Sequence, residues 1–177
     1  MASVFDHEKK YTQAWRPLSD RAFLARLRRF QPLAEEDDPR WQKESYWTNG
    51  LYKFWAFAQE SARRRLAAAI PLLLDRATEF DQDNLLEGLR HAFEEIMRPD
   101  WQALADICIA KAGSPRVGTR KWSLYQLAIL NDERAIPVLK KALRDKNPEV
   151  RDLAQLGIDR LAAATAAPQR ANRSKRQ

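Results

Sequence analysis

The sequence predicts an all-α protein, an α-solenoid of stacked antiparallel helix pairs with a divergent helical N-terminal part. Apolar residues recur at intervals of three and four along most of the chain, and no segment shows the sustained alternation of a half-buried strand. A shift of the sequence along itself superposes Arg120 on Arg151 and Leu127 on Ile158. Repeats of about 20–50 residues with two helices each indicate a solenoid, because one pair alone cannot bury its apolar faces.

Capping residues and prolines place the expected helices of the first half. Ser19 can cap a helix that ends before Pro32. Residues 41–57 are expected to form two helices. Residues 59–80 are expected to form a longer stretch that Pro71 either kinks or restarts.

The second half is expected to contain five helices joined by short connections. Asp81 or Asp83 can cap the first of them. The other four are expected to begin at Pro99, Pro115, Glu133 and Pro148. Eight apolar residues are expected in the core of the last repeats, namely Leu127, Leu130, Ile136, Leu139, Leu143, Val150, Ile158 and Leu161.

A second alignment, at roughly twice the shift of the first, superposes the motifs Ile70-Pro71-Leu72-Leu73 and Ile136-Pro137-Val138-Leu139. Asp132 precedes the later motif, and Asp145 precedes Asn147-Pro148-Glu149-Val150-Arg151. With these features residues 119–161 resemble HEAT repeats of the short kind found in phycobilisome-lyase-type proteins. The resemblance implies stacked helix pairs with a concave binding surface. Residues 63–118 fit the pattern more loosely, and residues 1–62 do not match it.

The expected organisation has three parts. Residues 1–62 form the divergent N-terminal part, residues 63–164 form HEAT-like repeats packed on it as one domain, and residues 165–177 form a disordered basic tail. The formal net charge of +7 includes four basic residues of that tail, which leaves only +3 on the rest of the chain. The tail is therefore the only segment expected to attract nucleic acid.

The arginines allow a structural and a functional interpretation. Arg120 and Arg151 occupy equivalent repeat positions and are expected to bind turn carbonyls or a turn aspartate, Asp132 or Asp145, with phosphate binding as the alternative. Arg90 lies about one repeat before Arg120 and is expected at the start of an equivalent helix. The run 63–65 and the arginines of residues 26–29 form either a positive stripe or a solvated face.

Seven aromatic residues lie between residues 41 and 57, more than a small helical core normally buries. Exposed Trp, Tyr and Arg side chains dominate binding hot spots. The candidate partner-binding residues are Trp41, Trp47, Tyr52, Trp55, Arg63 and Arg64.

The sequence offers little catalytic equipment. Neither His7 nor His91 has the neighbours of a metal-binding motif, and Cys108 falls on an apolar helix face. No catalytic residue, metal or cofactor is predicted. The longest apolar run, residues 66–74, is shorter than the roughly 20 residues that cross a membrane, and the start of the chain does not resemble a signal peptide. A cytoplasmic protein without membrane association is therefore expected.

The leading functional hypothesis is a non-catalytic protein-binding module, either an adaptor or a bacterial immunity protein that neutralises a toxin. Its partner is expected to be neutral or acidic, because the body of the chain is mildly basic. The alternative is a nucleic-acid-binding protein similar to HEAT-like alkylpurine glycosylases, which would use Trp101, Asp106, Arg120 and Trp122. A third hypothesis, a tetrapyrrole lyase-type chaperone, rests only on the repeat subtype.

Overall fold

The protein is all-helical in the part that the structure, a computed structural model, describes. That part comprises residues 4–31, 39, 43, 50–77, 83–98 and 100–174, with the side chains of 4–8, 83–88 and 166–174 left aside. It contains nine α-helices, two short 3-10 helices and no strand, which confirms the predicted all-α class. The helices are α1 (Val4–Trp15), α2 (Asp20–Arg29), α3 (Tyr52–Arg63), α4 (Ile70–Leu74), α5 (Asp83–Met97), α6 (Trp101–Lys111), α7 (Val117–Leu130), α8 (Ile136–Ala142) and α9 (Pro148–Ser174).

The helix boundaries agree with the sequence at several caps. Ser19 accepts a hydrogen bond from the backbone N–H of Ala22 and begins α2, as predicted. Pro71 restarts the chain as α4, after a 3-10 turn at Ala67–Ala69, and does not kink a continuous helix. Helix α1 has no counterpart in the sequence-based prediction, and near its C-terminal end the rings of Tyr11 and Trp15 stack with their centroids 5.7 Å apart.

The chain divides into two compact units, Met1–Asp100 and Trp101–Gln177. The boundary expected between residues 62 and 63 would cut α3 one residue before its end. Helix α3 packs against α1, α4 and α5, so it belongs to the interior of the first unit. The repeat pattern had suggested an earlier boundary, because it takes no account of this packing.

Aromatic side chains build the core of the first unit. The ring of Phe57 on α3 stacks on that of Trp15 on α1, with centroids 4.1 Å apart. Phe23 of α2 lies against both rings, at 5.6 Å from Phe57 and 5.9 Å from Trp15. Offset and tilted pairs of this kind add to the free energy that apolar burial supplies.

In the second unit α7 packs against α6 and α9, and α8 packs against α9. Four of the eight predicted core residues are buried, namely Leu127, Leu139, Val150 and Leu161. The other four are half-buried, namely Leu130, Ile136, Leu143 and Ile158. Trp101 is the first residue of α6 and is 38% exposed.

Both predicted sequence alignments correspond to recurring local structure. The chain enters α7 at Val117 and α9 at Pro148, one repeat later, after turns of the same form. The turn before α4 and the turn before α8 both contain a left-handed residue, Arg65 and Asn131, which the second alignment superposes. A 3-10 turn and a helix with proline as its second residue follow in both places.

The C-terminal helix differs from the expected disordered tail. Helix α9 continues to Ser174, so the backbone of residues 165–174 is helical. The sequence from Ala162 to Ala167 is almost entirely alanine, which has the highest helix propensity and extends a helix that has already formed.

Candidate functional site

The structure separates the six predicted partner-binding residues. Trp41 and Trp47 lie outside the described residues. Tyr52 and Trp55 are half-buried on α3. The side chain of Arg63 is 51% exposed at the end of the same helix, where it forms an ion pair with Glu60.

Arg64 is a structural residue and not an exposed anchor. Its side chain is only 7% exposed. Its guanidinium donates to the carbonyls of Trp15 and Leu18 at 2.7 and 2.9 Å, and to carboxylate oxygens of Asp20 and Glu60 at 2.9 and 2.7 Å. The prediction that Arg64 contacts a partner therefore disagrees with its burial, because these bonds already use its donors.

Glu60 completes this arrangement as a buried carboxylate. It is 1% exposed and accepts hydrogen bonds from Arg63 and Arg64 at 2.7–2.8 Å. Burial alone would raise the pKa of Glu60, but the bonds and charges of the two arginines outweigh it and hold the pKa below its ordinary value. The carboxylate is thus kept ionised inside the unit.

Two arginines hold the ends of α2. Arg64 binds the carbonyl of Leu18, just before the helix, and Arg76 donates to the carbonyls of Arg28 and Phe30 at 2.6 and 3.0 Å at its C-terminal end. The last carbonyls of a helix lack partners within it and receive donors here from Arg76, while Arg64 holds the chain just before the first turn, so both ends of α2 are fixed. The side chains on α2 are therefore presented in a defined position.

A cavity of about 390 Å³ lies beside α2. Its apolar wall is aromatic, formed by Trp15, Phe30 and Phe57. Its other lining residues are three cations, Arg26 and Arg29 on α2 and Lys53 on α3. Aromatic walls with a few charged groups are typical of recognition sites.

The lining of this cavity, as far as it is described, contains three positive charges and no acid. Arg26 and Arg29 are exposed and have no ion-pair partner among the described residues. Lys53 lies over the ring of Tyr11, with its Nζ 5.8 Å from the ring centroid. The cavity can therefore receive an anionic group next to an apolar one.

The sequence contained a partial signal for this site. Arg26 and Arg29 are three residues apart and share a helix face, which distinguishes them from a run of adjacent arginines. The aromatic wall could not be predicted in the same way, because Trp15, Phe30 and Phe57 come from three separate segments.

The structural interpretation of Arg120 and Arg151 is confirmed. Arg120 donates to the carbonyls of Ser114 and Pro115, both at 3.0 Å, and forms a two-bond ion pair with Asp145. Arg151 donates to the carbonyls of Asp145 and Lys146. Arg90 is different, since it lies in the middle of α5 and binds Glu94 one turn later.

Cys108 and the described histidine, His91, are the remaining candidates for catalysis or metal binding. Burial raises the pKa of the Cys108 thiol to about 12, so it stays protonated at neutral pH. His91 is exposed, with its Nδ1 3.7 Å from an oxygen of Glu94. Within the described ranges, no three His, Cys, Asp or Glu side chains gather closely enough to hold a metal ion.

The residues of the glycosylase-like alternative are not assembled into one exposed site. Trp122 is buried in the second unit, and Arg120 is paired with Asp145. Asp106 is exposed but accepts a 2.7 Å hydrogen bond from Arg134.

None of the described helices combines the length and the apolar character that crossing a membrane requires. Comparisons with protein-family models, curated proteins and solved structures found no match to this chain, so the HEAT-repeat resemblance stays a prediction.

Proposed function

We propose that this chain is a non-catalytic protein-binding module that acts by stoichiometric association with an acidic partner. The observation that supports this most directly is the cavity beside α2, with its aromatic wall and its three cations. An acidic side chain next to an aromatic or aliphatic one would satisfy both parts of the lining. Peptide segments that combine these two residue types are common on protein surfaces.

The size of the cavity fits an anchor point and not a whole interface. Stable protein interfaces bury about 1,200–2,000 Å² in total, and a few well-packed residues supply most of the binding free energy. The half-buried Tyr52 and Trp55 lie on α3 about 100° and 160° around the helix from Lys53, which lines the cavity. They therefore lie on other faces of α3, and a contact with them would be separate from the cavity.

The finer proposal is a HEAT-like solenoid that serves as an adaptor or as a bacterial immunity protein. The turns that recur before α4 and α8, and before α7 and α9, support stacked helix pairs. A solenoid suits binding because its repeats create an extended surface. Neutralising a toxin is one use of such a surface, and a toxin with an acidic binding site would suit the cationic lining.

The test reverses the charge of the cavity and compares it with an equal change elsewhere on α2. In the test variant Arg26 and Arg29 are both replaced by Glu. In the control variant Arg21 and Arg28 are replaced by Glu, since both are exposed on α2 and neither lines the cavity. Circular dichroism and thermal unfolding establish that both variants are folded.

Affinity capture from nuclease-treated extract of the source cells should recover a partner with the wild type and the control. Calorimetry with that purified partner should give a stoichiometry near one, and the test variant should bind about tenfold more weakly or worse. Equal affinity of the two variants would refute the proposed site. Capture that disappears on nuclease treatment would instead favour the nucleic-acid alternative, because phosphates would also be attracted to these cations.

A further inference from the structure

In the second unit, Arg120 and Arg151 share part of their hydrogen bonding. At Arg120, Nη1 donates to the carbonyls of residues 114 and 115, six and five positions earlier. At Arg151, Nη1 donates to the carbonyls of residues 145 and 146, again six and five positions earlier, at 2.9 and 3.0 Å. Each guanidinium group is thus held in the same way, by two carbonyls of the turn that precedes its own helix.

The other edge of the guanidinium distinguishes the two residues. The Nε and Nη2 of Arg120 donate to the two oxygens of Asp145, at 2.8 and 3.0 Å. Among the described residues, the Nε and Nη2 of Arg151 have no hydrogen-bond partner, and neither atom is buried. Arg151 therefore presents to solvent the edge with which Arg120 holds a carboxylate.

The described residues place no carboxylate on the open edge of Arg151. Asp145 lies 25 positions after Arg120. The residue at the same distance after Arg151 is Arg176, a cation. Within the described part of the chain, Arg151 therefore lacks the acidic partner that Arg120 has.

The open edge is suited to a carboxylate by its geometry. A guanidinium offers parallel N–H groups that match the two oxygens of a carboxylate, and such paired bonds are stronger than bonds between neutral groups. The two bonds from Nη1 already fix the plane of Arg151, so little conformational entropy remains to be lost on binding. Arg120, which is held by an equivalent turn, already binds the carboxylate of Asp145 through its Nε and Nη2.

The surroundings favour a carboxylate over a phosphate. One and two turns after Arg151, α9 carries Gln155 and Asp159, which are hydrogen-bonded to each other at 2.8 Å. Phosphate sites usually gather several cations, whereas the charged residues of α9 within one turn of Arg151, Glu149 and Asp152, are acids. A monoanion that binds one guanidinium is the better match.

We propose that the Nε–Nη2 edge of Arg151 is a carboxylate-binding site, and that its ligand is an aspartate or glutamate side chain of a partner protein. The ligand takes the position relative to Arg151 that Asp145 takes relative to Arg120. That the carboxylate comes from a protein rests on the proposed function, whereas the site itself does not.

The experiment observes the arginine Nε–Hε signals by NMR while sodium acetate is added at constant ionic strength. The Arg151 signal should shift and saturate, with a dissociation constant about fivefold or more below that of the exposed Arg144. The Arg120 signal should not move, because Asp145 fills its edge. An Arg151 response no stronger than that of Arg144 would overturn the site.

A matched variant tests the same geometry at Arg120 instead of at Arg151. Asp145→Ala empties the edge of Arg120, which should then respond to acetate as Arg151 does in the wild type. If that variant does not fold, Arg151→Lys serves instead, since lysine keeps the charge but loses the paired donors, and the saturable response of nearby backbone amides should disappear. A response that Arg151→Lys retains would contradict the proposed geometry.

Two further measurements identify the source of the anion. Inorganic phosphate in place of acetate should shift the Arg151 signal less at equal concentration, and a stronger phosphate response would refute the carboxylate assignment. With a purified protein partner, Arg151→Lys should weaken binding about tenfold, and an unchanged affinity would refute the protein source. Failure of the cavity variants would leave the acetate result standing, so the two proposals fail separately.

Discussion

The turn between α3 and α4 and the turn between α7 and α8 follow the same backbone path but are held in different ways. Each contains one left-handed residue, Arg65 with φ 51° and Asn131 with φ 57°. A 3-10 turn and a helix with proline as its second residue follow in both cases. The two turns belong to one chain, so they form an internal comparison.

The turn after α7 is stabilised by residues close to it in sequence. Asparagine is one of the few side chains that adopt the left-handed conformation readily. Asp132 accepts a 2.9 Å hydrogen bond from the backbone N–H of Arg134 and so caps the following 3-10 turn. The hydrogen bonds from Arg134 are the main reason that the pKa of Asp132 lies below its ordinary value.

The turn after α3 has neither of these local features. Arginine is unfavourable in the left-handed conformation, and Leu66 offers no side chain that could cap the 3-10 turn. Arg64 compensates from the preceding position, because its guanidinium binds carbonyls of residues 15 and 18 and lies 4.7 Å from the ring centroid of Phe23. The same turn can therefore be specified by its own residues or by distant parts of the unit.

The largest expected effect comes from removing the side chain of Arg64, which holds the turn after α3 through distant residues. Arg64→Ala should lower the free energy of unfolding by about 3–5 kcal/mol, because it removes one of the three hydrogen bonds to the buried Glu60 and leaves the carbonyls of Trp15 and Leu18 without a donor. Arg21→Ala is the control and should cost about 0.5 kcal/mol or less, since that side chain is exposed on α2. Urea denaturation of both variants measures the difference, and equal losses would contradict the structural role of Arg64.

The helices after the two turns should be equally important to their units. Leu73 and Leu139 occupy equivalent positions and are both fully buried. Each change to Ala should cost about 2–5 kcal/mol, as measured by denaturant unfolding. A near-zero effect at either position would show that the two helices are not equivalent.

A second substitution sharpens the measurement at Leu139. A Cβ added at Gly157 would lie 2.9 Å from Cδ2 of Leu139, so Gly157→Ala should gain little alone despite the higher helix propensity of Ala. In the Leu139→Ala background the obstacle is gone, and Gly157→Ala should stabilise by about 1 kcal/mol. If the effects of the two substitutions on the free energy of unfolding simply add, the predicted contact between position 157 and Leu139 is contradicted.

The ion pair of Arg120 and Asp145 should make the free energy of unfolding depend on pH. Burial raises the pKa of Asp145, but the bonds from Arg120 and from the backbone of Asn147 outweigh it, so the pKa lies below its ordinary value of 3.8. The stabilisation is therefore complete above about pH 5 and is lost as the pH falls through the lowered pKa.

Asp145→Asn should consequently cost about 1–3 kcal/mol near pH 7 and progressively less below pH 4, by roughly the amount that a charge-assisted hydrogen bond contributes. Unfolding of the wild type and the variant in urea at several pH values gives the comparison. A difference that stays constant down to pH 2 would mean that the carboxylate charge is unimportant.

The smallest expected effect exchanges the left-handed residues. Arg65→Asn should stabilise the protein by about 0.5–1 kcal/mol, and Asn131→Arg should destabilise it by a similar amount, because only the fit to the left-handed region changes. Thermal and denaturant unfolding would detect both. Changes of the same sign would show that the side chains have other roles in the turns.

Features that depend on a few neighbouring residues could be predicted from the sequence. At Pro71, and for the aspartate that pairs with Arg120, the sequence left two alternatives open, whereas the cap at Ser19 and the turn at Asp132 were each predicted singly. Each follows from a spacing within one helix or between adjacent repeats, since hydrogen-bond geometry links such residues directly.

The candidate site was predictable only in part. The sequence proposed Tyr52, Trp55 and Arg63 as partner-binding residues, and the structure leaves the first two half-buried and the third exposed. The sequence could not show that Arg64, adjacent to Arg63, turns inward to residues 44–49 positions earlier. Direction around a helix changes by about 100° per residue, and only packing decides which direction is the interior.

By itself the sequence determined the all-α class, several helix ends and the turn at Asn131 and Asp132, because local propensity and capping fix these. The tertiary structure alone decided the division after Asp100, the burial of Glu60 with Arg64, and the cavity that α1, α2 and α3 form together. Those features join segments that are distant in sequence, and their energies arise from burial and charge pairing that exist only once the segments have packed.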